Sequence, residues 1–238
     1  MANAGRTSAD KEAISEMTTG RLSVYLRCLS FLEAQELKTI SSHELADRFH
    51  LNSAQIRKDL AHFGEFGIRG VGYNISLLKD HLIKTLGIDV RRRVVIAGAG
   101  NLGLALADYH GFNAGGFEIV ALVDTDPGKI GQSSRSGIRI RGFDGLRAIV
   151  EQNQVEIGVI AVPAEEAQSV YEALADSGIC AILNFAPVQI RARSGVKLKS
   201  VDLRINLESL SFYLANRDEI SCVNDPIDTS GAEPPSKR

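Results

Sequence analysis

The run Val94-Val95-Ile96-Ala97-Gly98-Ala99-Gly100-Asn101-Leu102-Gly103 constrains this chain more than any other. A short apolar, β-branched stretch reads as a buried strand, and a G-x-G-x-x-G turn follows it. Each glycine has its own steric task. Gly98 permits the tight turn, Gly100 lets backbone approach a pyrophosphate, and Gly103 lets the next helix pack on the strand. The motif alone is weak evidence. Here the required strand precedes it, a helix predicted over about 101–109 follows it, and the next strand ends in Asp124, 21 residues past Gly103. An acidic side chain there accepts hydrogen bonds from an adenosine ribose and repels a 2′-phosphate, so the spacing predicts NAD(H) over NADP(H). The pyrophosphate is expected at the amino end of the helix that Asn101 and Leu102 open.

Downstream, the pattern predicts strands at 93–97, 117–124, 138–141, 155–162 and 179–183, with a sixth near 197–201. Helices are predicted at 144–151, 164–177 and 203–214. Short apolar runs alternating with helices indicate a Rossmann-type, doubly wound parallel sheet covered on both faces. Strand ends on the same edge complete such a site. Those are Val162-Pro163 and Asn184-Phe185-Ala186-Pro187, with Phe185 against a nicotinamide and the two prolines fixing loop shape. Three other readings stay open: plain core packing for Phe185, a glycine turn that binds nothing, and coenzyme A as the nucleotide.

Upstream, the periodicity changes. A helix is predicted over about 19–35, with Leu22, Tyr25, Leu26, Leu29 and Leu32 at helical spacing. Ser41-Ser42-His43-Glu44 reads as a capping box, and Asn52-Ser53-Ala54-Gln55 as a second one. The two capped helices are joined by His50-Leu51-Asn52, which gives a helix-turn-helix. The stretch 64–75 reads as two short strands around a tight turn near Arg69-Gly70, followed by a helix over 77–86. On the second helix Ile56 and Leu60 face inward, leaving Ala54, Arg57, Lys58 and Ala61 on the other side. Small residues flanking two cations suit a DNA groove: Arg57 reaches guanine or phosphate, Lys58 phosphate, and Arg69 at the hairpin tip a minor groove. The expected DNA-contacting set is Ser53, Ala54, Gln55, Arg57, Lys58, Arg69, Gly70 and Tyr73. An exposed basic helix face is the plainer reading of the two cations alone.

Composition narrows the class. The net charge of −2 hides an asymmetry: residues 48–93 carry nine Lys/Arg against four Asp/Glu. No apolar run approaches the roughly 18–20 residues of a membrane span, and residues 1–10 lack a signal-peptide core. A cytoplasmic protein without membrane contact is expected. Three widely spaced cysteines without a C-x-x-C pair predict reduced thiols and no metal centre, with Cys28 and Cys180 buried in apolar stretches. The predicted organisation is a disordered N-terminus (1–17), a winged-helix DNA-binding domain (18–87), a Rossmann NAD(H)-binding domain (88–202), a C-terminal helix (203–215) and a disordered tail (216–238).

Together these segments resemble the Rex family of redox-sensing transcriptional repressors, over about Leu22 to Ala215. The resemblance rests on Gln55-Ile56-Arg57-Lys58-Asp59-Leu60 and on Phe63-Gly64 through Phe66-Gly67, Arg69-Gly70-Val71-Gly72-Tyr73. It extends to Gly98–Gly103, Ala107-Asp108-Tyr109, Val123-Asp124-Thr125-Asp126-Pro127 and Ile182–Pro187. It implies a homodimer that binds a palindromic double-stranded operator when NADH is scarce, and that closes and releases the DNA when NADH binds, so that transcription responds to the NADH/NAD+ ratio. It also implies that helix 203–214 swaps onto the partner, and that Tyr109, Arg27 and the partner's Asp202 couple nicotinamide to the DNA-binding domain. His110 departs from the proline that relatives often carry after Ala-Asp-Tyr. An NAD-dependent oxidoreductase is the rival reading. It lacks residues for a substrate domain and an evident acid–base pair, since His110 is the only histidine past residue 93.

Overall fold

The computed structural model describes residues 16–64, 66–68 and 70–216. The predicted disordered ends therefore lie almost wholly outside the described residues, as does Arg69. The chain divides into two compact units. One runs to Arg92 and takes in His110–Glu118; the other holds Arg93–Tyr109 and the chain from Ile119 onward.

The first unit contains α1 (Glu16–Ala34), β1 (Thr39–Ile40), α2 (Ser42–Phe49), α3 (Ser53–Phe63), β2 (Gly67–Ile68), β3 (Gly72–Asn74) and α4 (Ile75–Leu86). Its core is built from Leu22, Tyr25, Leu29 and Leu32 of α1 against Leu45, Ile56, Leu60, Ile75, Leu78 and Leu82. The three- and four-residue spacing in α1 puts one stripe inward, and burying it supplies most of the helix's stability. The Ser41 capping box is complete. Glu44 N–H donates to Ser41 Oγ at 3.1 Å, and Ser41 N–H donates to Glu44 Oε2 at 2.8 Å.

The second box forms only in half. Asn52 Oδ1 accepts from Gln55 N–H at 2.9 Å, but the Gln55 amide turns forward and donates to Asp59 Oδ1 at 2.7 Å. A buried carboxylate one turn on is a stronger acceptor partner than the cap backbone could be a donor. The wing carries a strand that the sequence pattern does not predict. β1 pairs antiparallel with β3 through Thr39↔Asn74 and Ile40↔Tyr73, and β2 pairs with β3 on its other side. Two residues are too few to display alternation, so β1 exists only through its partner. α4 starts at Ile75 rather than near 77, because Asn74 caps it by accepting from Leu77 N–H at 3.0 Å.

The chain continues through β4 (Arg92–Ala97), α5 (Asn101–Ala107), the short α6 (His110–Ala114), β5 (Phe117–Asp124) and β6 (Ile140–Gly142). A 3-10 turn at Phe143–Gly145 leads into α7 (Leu146–Asn153). β7 (Ile157–Ile160), α8 (Ala164–Asp176), β8 (Ala181–Asn184), β9 (Lys197–Ser200) and α9 (Leu203–Ala215) follow. Strand order is β6-β5-β4-β7-β8-β9, with the β5/β6, β4/β7, β7/β8 and β8/β9 pairs parallel. This is the doubly wound order in which strand succession reverses between the first and fourth strands, here β4 and β7.

Three expectations change here. The helix after the glycine turn stops at Ala107, and His110 opens α6 instead of a loop. The predicted strand 138–141 shifts to Ile140–Gly142, because residues 133–139 fold back through a Ser133↔Arg139 bridge. Cys28 is buried as expected, but Cys180 is exposed, placed in the turn between α8 and β8.

Candidate nucleotide crevice and nucleic-acid interface

The glycine turn is held from both sides of the reversal point. A Cβ on Gly98 would lie 2.4 Å from the Ala161 carbonyl oxygen after β7, and one on Gly103 would lie 1.8 Å from the Gly98 oxygen. Only hydrogen fits at either position. A Cβ on Gly100 would meet nothing within 4 Å, so this backbone faces open space, and Gly100 caps α5 without any side-chain hydrogen bond. Open backbone beside uncapped first-turn donors is the fit a dinucleotide pyrophosphate requires.

In front of the turn lies a crevice of about 530 Å³, lined by Gly98 and Gly100, by Asp124–Asp126 and Lys129, and by Ala161–Pro163 with Glu166. Asp124 ends β5, and its side chain is only 10% exposed. Its Oδ2 accepts from Ala99 N–H at 2.7 Å and from Lys129 Nζ at 3.1 Å, while Oδ1 accepts from Asp126 N–H at 2.8 Å. Burial alone would push this carboxyl up, but the hydrogen bonds from Asp126, Ala99 and Lys129 outweigh it and hold Asp124 below the ordinary aspartate value.

The crevice thus gathers Gly98, Gly100, Asp124, Val162 and Pro163 from the expected set. Thr125 and Asp126, from the Val123–Pro127 segment that carries the family resemblance, join them, as do Lys129 and Glu166, which the sequence reading does not single out. The signal for Lys129 was its place five residues past Asp124, across the turn at Asp126-Pro127-Gly128. Other expected residues have structural tasks. Ala99 is buried and contributes its N–H to Asp124. Asn184 is fully buried, accepting from Ala186 N–H at 2.9 Å and donating to the Ala186 and Val188 carbonyls and to Ser200 Oγ. Ala186 is core. Phe185 is half-buried, while Pro187 and Leu102 are exposed; none of the three lines the crevice.

Asn101 instead borders a second hollow with Leu104, Ala105, Asp108 and Ser133–Arg135. There Asp108 accepts from Ser136 N–H at 2.8 Å and Ser136 Oγ at 2.9 Å, which holds its carboxyl down at about 2 and ties the 133–137 turn to the end of α5. Tyr109 is 60% exposed. Asp202 caps α9, accepting from Arg204 N–H at 2.9 Å. Arg27 lies on the exposed side of α1.

In the first unit, a groove of about 710 Å³ runs between the start of α2, α3 and the wing. It is lined by Ser41, Ser42, Arg57, Ile68, Gly70 and Tyr73 among others. Arg57 is exposed and donates to Ser42 Oγ at 3.1 Å, which sets its guanidinium toward the groove. Lys58 and Ala54 are exposed and Ser53 is half-buried, as the helical count places them. Gln55 is committed to Asp59. Tyr73 is half-buried, and burial raises its hydroxyl while the nearby Arg57 charge opposes the rise.

Behind the groove sits Asp59, 4% exposed. It accepts from Arg21 Nε at 2.6 Å and Nη2 at 2.8 Å, from the Tyr25 hydroxyl at 2.9 Å, and from Gln55. The Arg21 hydrogen bonds chiefly depress its carboxyl, against the opposing effect of burial. Burial and Asp59 together push the Tyr25 phenol well up. This network fixes α3 on α1.

Family models match a CoA binding domain over residues 89–188 and a family of DNA-binding protein N-termini over residues 13–61. The redox-sensing transcriptional repressor Rex of Carboxydothermus hydrogenoformans is 48% identical over 84% of this chain and 96% of its own length. That of Desulfitobacterium hafniense is 45% identical over 86% and 97%. Among solved structures, the Rex-family repressor RSP in complex with β-NAD+ and operator DNA aligns with TM-score 0.82 at 33% identity, covering 93% of this chain and all of that one. RSP in complex with β-NADH aligns with TM-score 0.79 at 32% identity, covering 90% of this chain and all of RSP.

Proposed function

The chain belongs to the Rex family of redox-sensing transcriptional repressors, and from that premise we propose that it binds operator DNA through the first unit and NAD(H) through the second. The observation that carries this reading is continuity. Relatives at 45–48% identity align across both units, so the two binding surfaces come as one device. The family's members are repressors, so the nucleotide acts here as a signal and not as a redox reagent. Its working place is the cytoplasm, where chromosome and NADH pool meet.

The same proposal gives each site residue a part. The Gly98–Leu102 backbone receives the pyrophosphate, and Asp124 receives the adenosine ribose. Val162 and Pro163 line the way to the nicotinamide, toward Phe185 and Pro187. Arg57 and Lys58 contact DNA from α3, with Ser53, Ala54, Gly70 and Tyr73 shaping the groove; the expected minor-groove contact of Arg69 lies outside the described residues. Gln55 acts through Asp59, holding α3 in register.

Helix α9 supports a dimer. None of its residues is buried, and Leu203, Ile205, Leu207, Leu210, Phe212 and Leu214 are each 58–74% exposed. An apolar helix left uncovered marks an interface. We infer that it docks on the nucleotide-binding unit of a second copy, and that Tyr109, Arg27 and the partner's Asp202 couple the two ligands across that assembly.

The mechanism is a linkage between two states of the dimer. The state that binds NADH more tightly must be the one that binds operator less tightly. Shifting the population from about 1:99 to 99:1 takes a roughly 10⁴-fold difference in NADH affinity, about 5.5 kcal/mol. By reciprocity, operator weakens NADH binding by the factor with which NADH weakens operator binding. A gel shift on a palindromic operator tests this, with NADH and NAD+ titrated separately. NADH is expected to release the DNA at concentrations where NAD+ does not; equal operator affinity with saturating NADH and without it sinks the reading.

A further inference from the structure

The saturation of Asp124 assigns a task to Lys129. An ionised carboxylate offers about four acceptor positions on its two oxygens. Three are occupied, two of them by backbone N–H groups of Ala99 and Asp126 that the fold cannot withdraw. The third donor, Lys129 Nζ, belongs to a flexible side chain that is 38% exposed and lines the crevice. The backbone beneath it is anchored. Asp126 accepts from Gly128 N–H through Oδ1 at 2.8 Å, and its carbonyl accepts from Lys129 N–H at 3.1 Å. The ammonium has a second anion in reach, Asp126 Oδ2 at 3.8 Å.

A ribose that engages Asp124 through two hydroxyls therefore needs one donor to leave, and Lys129 is the exchangeable one. Having left Oδ2, its ammonium stays beside the ribose-binding carboxylate. There it offsets the charge with which Asp124 repels a 2′-phosphate. We propose that Lys129 is a specificity-determining residue, weakening this chain's discrimination against 2′-phosphorylated adenosine nucleotides below what Asp124 alone would impose. The inference rests on the NAD(H) reading of the crevice.

The test is the ratio of NADPH to NADH dissociation constants in the full chain. NADH is followed by nicotinamide fluorescence, which no tryptophan obscures because the chain has none. NADPH is measured by competition against NADH. Lys129→Met is expected to widen the ratio about tenfold, equivalent to about 1.4 kcal/mol, with less widening at high salt. Lys129→Arg, which keeps the charge, is expected to retain the wild-type ratio, and Asp124→Asn to narrow it. A Lys129→Met ratio equal to wild type, or equal weakening of both nucleotides, overturns the assignment while leaving the NAD(H) reading standing. Failure of the wild-type chain to bind NADH at all overturns that reading, and the assignment with it.

Discussion

Asp59 and Asp124 are both carboxylates with several donors, and both are held below the ordinary aspartate value. Their donors differ in kind. Asp59 is gripped by the side chains of Arg21, Tyr25 and Gln55, brought from two helices, and it faces the interior of the first unit. Asp124 is held by one backbone N–H of the glycine turn, one of its own loop and one lysine, and it faces a crevice. Side-chain donors from separate elements make a carboxylate into a clamp. Backbone donors plus one exchangeable cation make it into a receptor. On the proposed function, the same chemical group supports the DNA-reading helix in one region and the nucleotide crevice in the other.

The sharpest way to break this contrast is Asp59→Ala. It strips buried Tyr25 and half-buried Gln55 of their acceptor and frees α3 from α1, and a loss of about 3 kcal/mol is expected in chemical denaturation. A loss below about 1 kcal/mol would show that the clamp is ornamental. The same residue gives a pH signature. Its folded value is depressed, so its stabilisation is fully present above the unfolded value near 3.8 and fades as pH falls through the lower folded value. Wild type is expected to lose stability in that acid range more steeply than the Asp59→Ala variant; parallel profiles would refute the linkage.

Arg57→Ala should leave stability nearly unchanged and cost about 2 kcal/mol of operator affinity, measured by gel shift. Uniform loss across operator variants would mean that it touches only phosphate. Asp124→Ala leaves the buried Ala99 N–H without its acceptor, so about 1.5 kcal/mol of stability is expected to go with the nucleotide affinity. A loss as large as that from Asp59→Ala would erase the distinction between clamp and receptor. The smallest effect is expected from Ser41→Ala, about 1 kcal/mol, from loss of one capping partner.

Much of both regions was legible because local physics wrote it. The Ser41 box, the inward Ile56 and Leu60, the Gly98–Gly103 turn and Asp124 at a strand end all depend on neighbours within a few residues. The sequence pattern failed where a partner lay far along the chain. Thr39–Ile40 becomes a strand only beside Tyr73 and Asn74. Gln55 leaves its cap because Asp59, itself fixed by Arg21 and Tyr25, is the better partner. Asn184 ends a strand at the edge that the sequence assigns to the site, and what the sequence does not show is that its side chain closes the turn to Val188 and Ser200.

By itself, then, the sequence determined the two-part architecture, the glycine turn and its acidic partner, and the basic face of a capped helix. These follow from periodicity, backbone sterics and capping, which act over one or two turns of chain. Only the tertiary structure decided how the carboxylates are used. Whether an enclosed aspartate clamps helices or lines a crevice depends on which donors the fold delivers to its two oxygens, and those donors come from as far as 38 residues away.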